Sequence, residues 1–246
     1  MERYQVILGY DGTAYAGMQR QANAATIQGE LETALRKIGW QGSSVLVAGR
    51  TDAGVHASGQ VAAFDFEWRH SLEDLCNALN ANLPPEIAVS QAQIARPDFH
   101  PRFDASARTY EYRIICQPWR DPLRERFAWR VWPRPDFHLL QVCAAQLHGA
   151  HDFAAFGTPP VEGGSTTREV FSAGWRQNGD ALSFEVRANA YLYHMVRRMV
   201  HLQVEIGLGK LPFETLEDAL DGQLQEIIQG LAPAHGLILR RVEYPE

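Results

Sequence analysis

The chain reads as an α+β protein built from two β-α-β-β-α-β halves, and three observations lead there. Short apolar runs of strand length alternate with stretches of helical periodicity, the order of elements in residues 1–105 recurs in residues 106–246, and turn-forming residues punctuate each junction. At 246 residues the chain can bury the core of one large domain or of two smaller ones. Hydrophobic residues make up 46% and charged residues 21%, with no polar low-complexity tract, so order is expected nearly throughout.

In the first half, Arg3 to Gly9 reads as a strand. Ile27, Leu31, Ala34, Leu35 and Ile38 recur at helical spacing, with Thr26 as N-cap and Gly39 as the stop. Val45-Leu46-Val47 and Gln60 to Phe66 are the next strands. Ser71, with Asp74 three residues on, opens a helix through Leu72, Leu75, Cys76 and Leu79 that Pro84 and Pro85 terminate, and Ile87 to Ile94 completes the half. In the second half Ser106 to Cys116 is a strand, and Leu139, Leu140, Cys143 and Leu147 form one helix face. Strands follow near Arg168 to Gln177 and Leu182 to Ala188. A long helix then buries Leu192, Val196, Met199, Val200 and Val204, and Leu237 to Val242 is the last strand. This ferredoxin-like order, repeated without a sequence repeat, predicts two antiparallel sheets side by side with the functional cleft between them. The linker falls near Phe103 to Ser106.

Composition narrows the function. No apolar run approaches the length of a bilayer span and the N-terminus opens directly into a strand pattern, so a cytoplasmic protein without a membrane partner is expected. Cys76, Cys116 and Cys143 are odd in number and sit in apolar periodic segments, which points to core positions rather than disulfides. His151-Asp152 and His194 lack metal-ligand spacing, and Gly207-Leu208-Gly209-Lys210 lacks the strand and glycine spacing of a phosphate-binding loop; neither metal nor cofactor is implied. The net charge of −6 opposes a nucleic-acid partner in the bulk, but Arg120, Arg124, Arg126, Arg130 and Arg134 crowd one connection and Arg187, Arg197 and Arg198 another. Local basic patches are therefore expected.

Between two strand signals lies Ala48-Gly49-Arg50-Thr51-Asp52-Ala53-Gly54-Val55-His56-Ala57-Ser58-Gly59, a glycine-punctuated loop with a carboxylate, a guanidinium and an imidazole. Thr-Asp-Ala-Gly also makes an ordinary turn, and on spacing alone that reading stands beside a catalytic one. A reactive Asp in a pocket must stay ionised, and burial opposes this unless an Arg accompanies it. Arg50, two residues away, and Arg197, beside the apolar face of the long helix, are the candidates; each could equally be a solvated surface arginine. His56 is expected to hydrogen-bond within its own loop.

At Arg50-Thr51-Asp52-Ala53-Gly54-Val55-His56 the sequence resembles the TruA family of tRNA pseudouridine synthases. The resemblance continues through Tyr10-Asp11-Gly12-Thr13-Ala14-Tyr15-Ala16-Gly17-Met18-Gln19-Arg20-Gln21, Thr26-Ile27-Gln28, and Phe103-Asp104-Ala105-Ser106-Ala107-Arg108-Thr109-Tyr110-Glu111-Tyr112. Gly149-Ala150-His151-Asp152-Phe153, Met195-Val196-Arg197-Arg198-Met199-Val200 and Ala234-His235-Gly236-Leu237-Ile238-Leu239 extend it to the end of the chain. Met18 stands where the family usually has Trp, and Thr109 where arginine is common. The resemblance implies an isomerase that turns uridine into pseudouridine at positions 38 to 40 of the tRNA anticodon arm, without metal or cofactor, as a homodimer that binds tRNA across both subunits. It also implies that Asp52 is the nucleophile, that Tyr110 packs against the target base and takes part in proton transfer, that Arg197 pairs with Asp52, and that Arg50 contacts the RNA. A non-catalytic RNA chaperone and a nucleoside hydrolase are the rival classes; the first does not need Asp52, and the second releases free uracil.

Overall fold

A computed structural model describes residues 1–224 and 226–245. The chain forms two compact units. One comprises Met1–Ser106 and the chain from Ile238 onward, the other Ala107–Leu237.

In the first unit the elements are β1 (Glu2–Tyr10), α1 (Ile27–Lys37), β2 (Leu46–Val47), β3 (His56–Phe66), α2 (Leu72–Asn80) and β4 (Ile87–Ile94), the expected order. Local chemistry accounts for the helix ends. Thr26 accepts the Gly29 N–H, and Ser71 and Asp74 exchange side-chain and backbone hydrogen bonds in a capping box. Gly39, at φ 102°, follows α1 in the left-handed conformation that ends helices at little cost for glycine. Strand β1 pairs antiparallel with both β3 and β4. Tyr4, Val6, Leu8 and Tyr10 alternate along β1 into the core with Ala62, Phe64 and Phe66 of β3 and with Leu31, Leu35, Leu75 and Leu79 of the helices, all buried. Each large apolar side chain so buried contributes about 1.5–3 kcal/mol.

The second unit holds β5 (Ala107–Ile115), β6 (Trp129–Arg130), α3 (Phe137–Gln146), β7 (Gly149–Asp152), β8 (Thr167–Asn178), β9 (Ala181–Ala188), α4 (Met195–Gly207) and α5 (Glu214–Leu220). Its sheet runs β5-β9-β8-β7 with antiparallel neighbours, and β6 pairs parallel with β5. Five expected apolar positions, Leu192, Val196, Met199, Val200 and Val204, are buried at and along α4. Cys116 and Cys143 are buried free thiols and Cys76 is half-buried; burial pushes the Cys143 thiol up to about 11.

Two features differ from the sequence expectation. The short elements β6, β7 and α5 have two, four and seven residues, too few for periodicity to register. The final strand, β10 (Leu237–Glu243), was grouped by chain order with residues 106–246, yet from Ile238 it belongs to the first unit. There Ile238 and Leu239 pair parallel with His56 and Ala57 of β3. Parallel partners are distant in sequence, so no turn signal announces them.

Glu32 of α1 is fully buried as a charge, and its surroundings justify that. Its carboxylate accepts from the Arg20 and Arg36 guanidiniums, from Gln28 Nε2 at 2.9 Å and from the Val45 N–H at 3.1 Å. Gln28 in turn accepts the Arg20 N–H at 3.0 Å, so α1 fastens the segments around residues 18–21 and 43–45. Replacing Glu32 with Ala leaves the Val45 N–H and one Gln28 N–H without this acceptor, while the exposed Arg20 and Arg36 guanidiniums turn to water; we expect a loss of about 1–3 kcal/mol in urea unfolding, against a smaller loss for Glu32→Gln.

Candidate active site

The loop from Ala48 to Val55 links β2 to β3 and is fixed from beneath by a buried polar chain. Tyr10 Oη lies 2.8 Å from Thr51 Oγ1, while Gln60 Nε2 donates to Gly49 O at 2.9 Å and to Tyr10 Oη at 3.4 Å. Thr51 and Gln60 are both buried. Burial pushes the Tyr10 phenol up to about 12, partly offset by Thr51 and Gln60, so it remains a neutral hydroxyl in this network.

From the side, the segment after β1 grips the same loop main chain to main chain. The Met18 N–H donates to Thr51 O at 3.0 Å and the Gly54 N–H to Tyr15 O at 3.3 Å. Gly17 has φ 96°, and a Cβ there would stand 2.7 Å from Thr51 O and 3.2 Å from the Asp52 carbonyl carbon; a Cβ on Gly12 would strike Val55 O. The two glycines of the Tyr10–Gln21 motif are thus explained by close backbone approach. His56 accepts the Gly12 N–H at Nδ1 (3.0 Å), 3.1 Å from Asp11 Oδ1, and so reaches beyond its own loop to the segment after β1. Asp11 also accepts from the Thr13 N–H and hydroxyl. Single-sequence spacing gave no signal for this pairing, since 44 residues separate Gly12 from His56.

Within this frame Asp52 is half-buried, Thr51 buried and Arg50 exposed. The Val55 N–H donates to Asp52 O at 3.2 Å, with Gly54 at φ 78° as the third residue of the turn. The Asp52 main chain closes the turn, so the turn reading and the catalytic reading are compatible.

Tyr110 and Arg197 belong to the second unit. Tyr110, half-buried on β5, meets Tyr191 edge to face at 5.0 Å and 85°. The Tyr191 hydroxyl lies 3.0 Å from both Arg108 O and Val186 O, and burial holds its ionisation well above the usual tyrosine range. Tyr191 is a support the sequence did not reveal. Tyr112, two residues on from Tyr110, is the tyrosine given wholly to the core. Arg197 sits in the first turn of α4, half-buried, with Nε donating to Ala232 O at 2.7 Å; the Ala232 N–H returns a bond to Arg197 O at 3.3 Å. His194, before α4, has φ 66° and stacks on Tyr193 at 3.7 Å.

The arginine-rich connection is less basic than its composition suggests. Arg124 makes a two-pronged pair with Asp180 at 2.7 and 2.8 Å, and Arg130 pairs with Glu125 at 3.1 Å. Arg187 lies over the Phe171 ring at 4.8 Å. Among the described residues no group of three or more His, Cys, Asp or Glu side chains is arranged to hold a metal, and no helix is long and apolar enough to cross a membrane.

The family pattern described as tRNA pseudouridine synthase matches residues 6–104 and 143–245, which include the Asp52 loop, its clasp and α4. The chain belongs to the tRNA pseudouridine synthase family. A tRNA pseudouridine synthase A of Moorella thermoacetica is 40% identical over 98% of both chains. The tRNA pseudouridine synthase A of Shouchella clausii is 39% identical over 99% of this chain and 94% of its own. That of Geobacter sp. strain M21 is 37% identical over the full length of both. Like the family, the chain is an isomerase acting in tRNA pseudouridine synthesis.

Two measurements test this construction of the site. Gly17→Ala should cost about 1–3 kcal/mol in urea unfolding through the forced left-handed backbone. Misplacement of the Asp52 loop should also slow isomerisation about 10- to 100-fold in initial-rate assays. The second concerns His235, whose pKa is lowered from 6.5 chiefly by burial, with nearby Arg197 adding to the effect. Folding therefore favours the neutral ring. Stability is full above the unfolded value and falls as pH drops through 6.5 toward the lowered folded value. Urea midpoints followed from about pH 7.5 to 5.5 should decline, and His235→Gln should flatten part of that decline.

Proposed function

We propose that this isomerase converts uridine to pseudouridine at positions 38, 39 and 40 of the tRNA anticodon arm, with Asp52 as the nucleophile. One observation carries the assignment: within the motif that marks the family, Asp52 stands on a loop whose main chain is clamped by Met18, Tyr15 and the glycine at 17, above a buried Tyr10–Thr51–Gln60 network. Such rigidity suits a carboxylate that must meet a reacting atom within a few tenths of an ångström.

The reaction breaks the bond from C1′ to N1, turns the uracil while it is held, and joins C5 to C1′; C5 loses its proton and N1 gains one. The uridine must first leave its stack, at a cost of a few kcal/mol that is least in a loop or at a stem end. In this proposal Tyr110 offers its ring to the flipped base, held edge-on by Tyr191, and Arg50 meets the RNA backbone. Arg197, whose guanidinium is held at Nε by Ala232 O, is assigned to substrate binding. Attack at C1′, addition at C6 and removal of a ribose proton all begin with the same charged carboxylate. No cofactor enters any of them, and one essential carboxylate suffices where an ordinary glycosidase uses two. The enzyme is assigned to the cytoplasm, as a homodimer that holds tRNA across both subunits.

Incubation of unmodified tRNA with the purified protein, without additions, should give pseudouridine in the anticodon arm, mapped by carbodiimide treatment and primer extension. Asp52→Asn should lower the rate on the order of 10⁴-fold or more while tRNA binding persists. Binding without product by the wild type would move the assignment to an RNA chaperone, and release of free uracil would move it to a hydrolase.

A further inference from the structure

Residues of three of the motifs that mark the family meet in the second unit. Tyr112 of β5 is fully buried, and its hydroxyl donates to Pro233 O at 2.8 Å. Its ring fills the space over Gly236, where a Cβ would come within 2.6 Å of Cζ and 2.9 Å of Oη. Gly236 does not have a left-handed φ, so glycine is needed here for room and not for backbone conformation. The carbonyl immediately before, Ala232 O, accepts from Arg197 Nε at 2.7 Å, and the Ala232 N–H donates back to Arg197 O. Adjacent carbonyls of one short segment are thus held by β5 through Tyr112 and by α4 through Arg197. Pro233 has no N–H of its own and a fixed φ of −54°, which stiffens the joint.

We infer that Tyr112, acting through the Ala232–Gly236 segment, is a positioning residue that orients the Arg197 guanidinium. The inference rests on the reading of Arg197 as part of the reaction site. An arginine side chain has rotamer entropy to lose, and a planar guanidinium fixed at Nε presents its two Nη groups in one defined direction. Without the Tyr112 hydroxyl, Pro233 O keeps only the Gly236 N–H at 3.4 Å, and the carbonyl that fixes Arg197 gains freedom. Burial holds the Tyr112 phenol far above its ordinary ionisation range even though Arg197 opposes the shift, so the hydroxyl remains a donor across the working pH range.

The test compares the full-length wild type with Tyr112→Phe, Gly236→Ala, Arg197→Lys and Tyr112→Phe/Arg197→Lys. Arginine Nε–H resonances are followed by nitrogen-15 NMR, with that of Arg197 identified by its loss in Arg197→Lys. We expect Nε–H exchange of Arg197 to accelerate at least about 10-fold in Tyr112→Phe, and kcat to fall about 10-fold with KM for tRNA within about 2-fold. In the Arg197→Lys background the Tyr112 substitution should change kcat less than about 2-fold, because the two residues act as one unit. Gly236→Ala, which disturbs the same joint from the other side, should reproduce the exchange and kcat effects. Unchanged Nε–H exchange in Tyr112→Phe, or losses of kcat that multiply in the double variant, would overturn the proposal. Full activity of Arg197→Lys together with altered exchange would remove Arg197 from the reaction site while leaving the structural brace intact.

Discussion

Close approach of two main chains, permitted by Gly12 and Gly17, is the constraint on which the first unit's loop geometry depends. Side chains at either position would occupy the space of Val55 or Thr51, so the segment after β1 would stand off from the Asp52 loop. Because the segments touch, backbone donors at Met18 and Gly54 find backbone acceptors, and the Gly12 N–H finds the His56 ring at Nδ1. Tyr10, Thr51 and Gln60 then satisfy one another beneath it. A half-buried Asp52 is consequently presented by a loop with little freedom, which is the condition an active carboxylate needs.

The clasp is itself anchored to the hydrophobic core. The Ile27 N–H and Gln28 N–H donate to Gly17 O and Met18 O, so the first turn of α1 holds the clasp while Leu31 and Leu35 hold the helix. Glu32 extends the anchorage with a charge that is satisfied by four donors rather than removed from the core. A comparable economy appears in the second unit, where Gln203 accepts from the Trp175 indole at 2.8 Å and donates to Met199 O, and the buried amide completes its bonds inside the core. Glu32 and Gln203 are thus buried together with the donors and acceptors that satisfy them.

Membership of the family gives these contacts a purpose. Pseudouridine formation leaves the atom count of the nucleotide unchanged, so its demands fall largely on positioning. Both the clamped loop and the doubly held Ala232–Gly236 segment are devices that limit motion rather than supply reactive groups.

Periodicity, caps and prolines determined most elements from the sequence alone, because α1, α2 and α4 bury apolar stripes at helical spacing and Thr26 and Ser71 mark the starts of α1 and α2 by local bonds. The Arg50–His56 motif, through its resemblance to the family, offers Asp52 as the nucleophile now proposed. Short elements such as β6 and β7 escaped because two to four residues carry no period, and β10 was placed by chain order when its parallel register with β3 assigns it to the first unit. The sequence could show that Gly12, Gly17 and Gly236 were present but not what each approaches. Contacts between Gly12 and Val55, or Tyr112 and Gly236, join residues far apart along the chain, and steric exclusion at such distances is set only when the chain has folded.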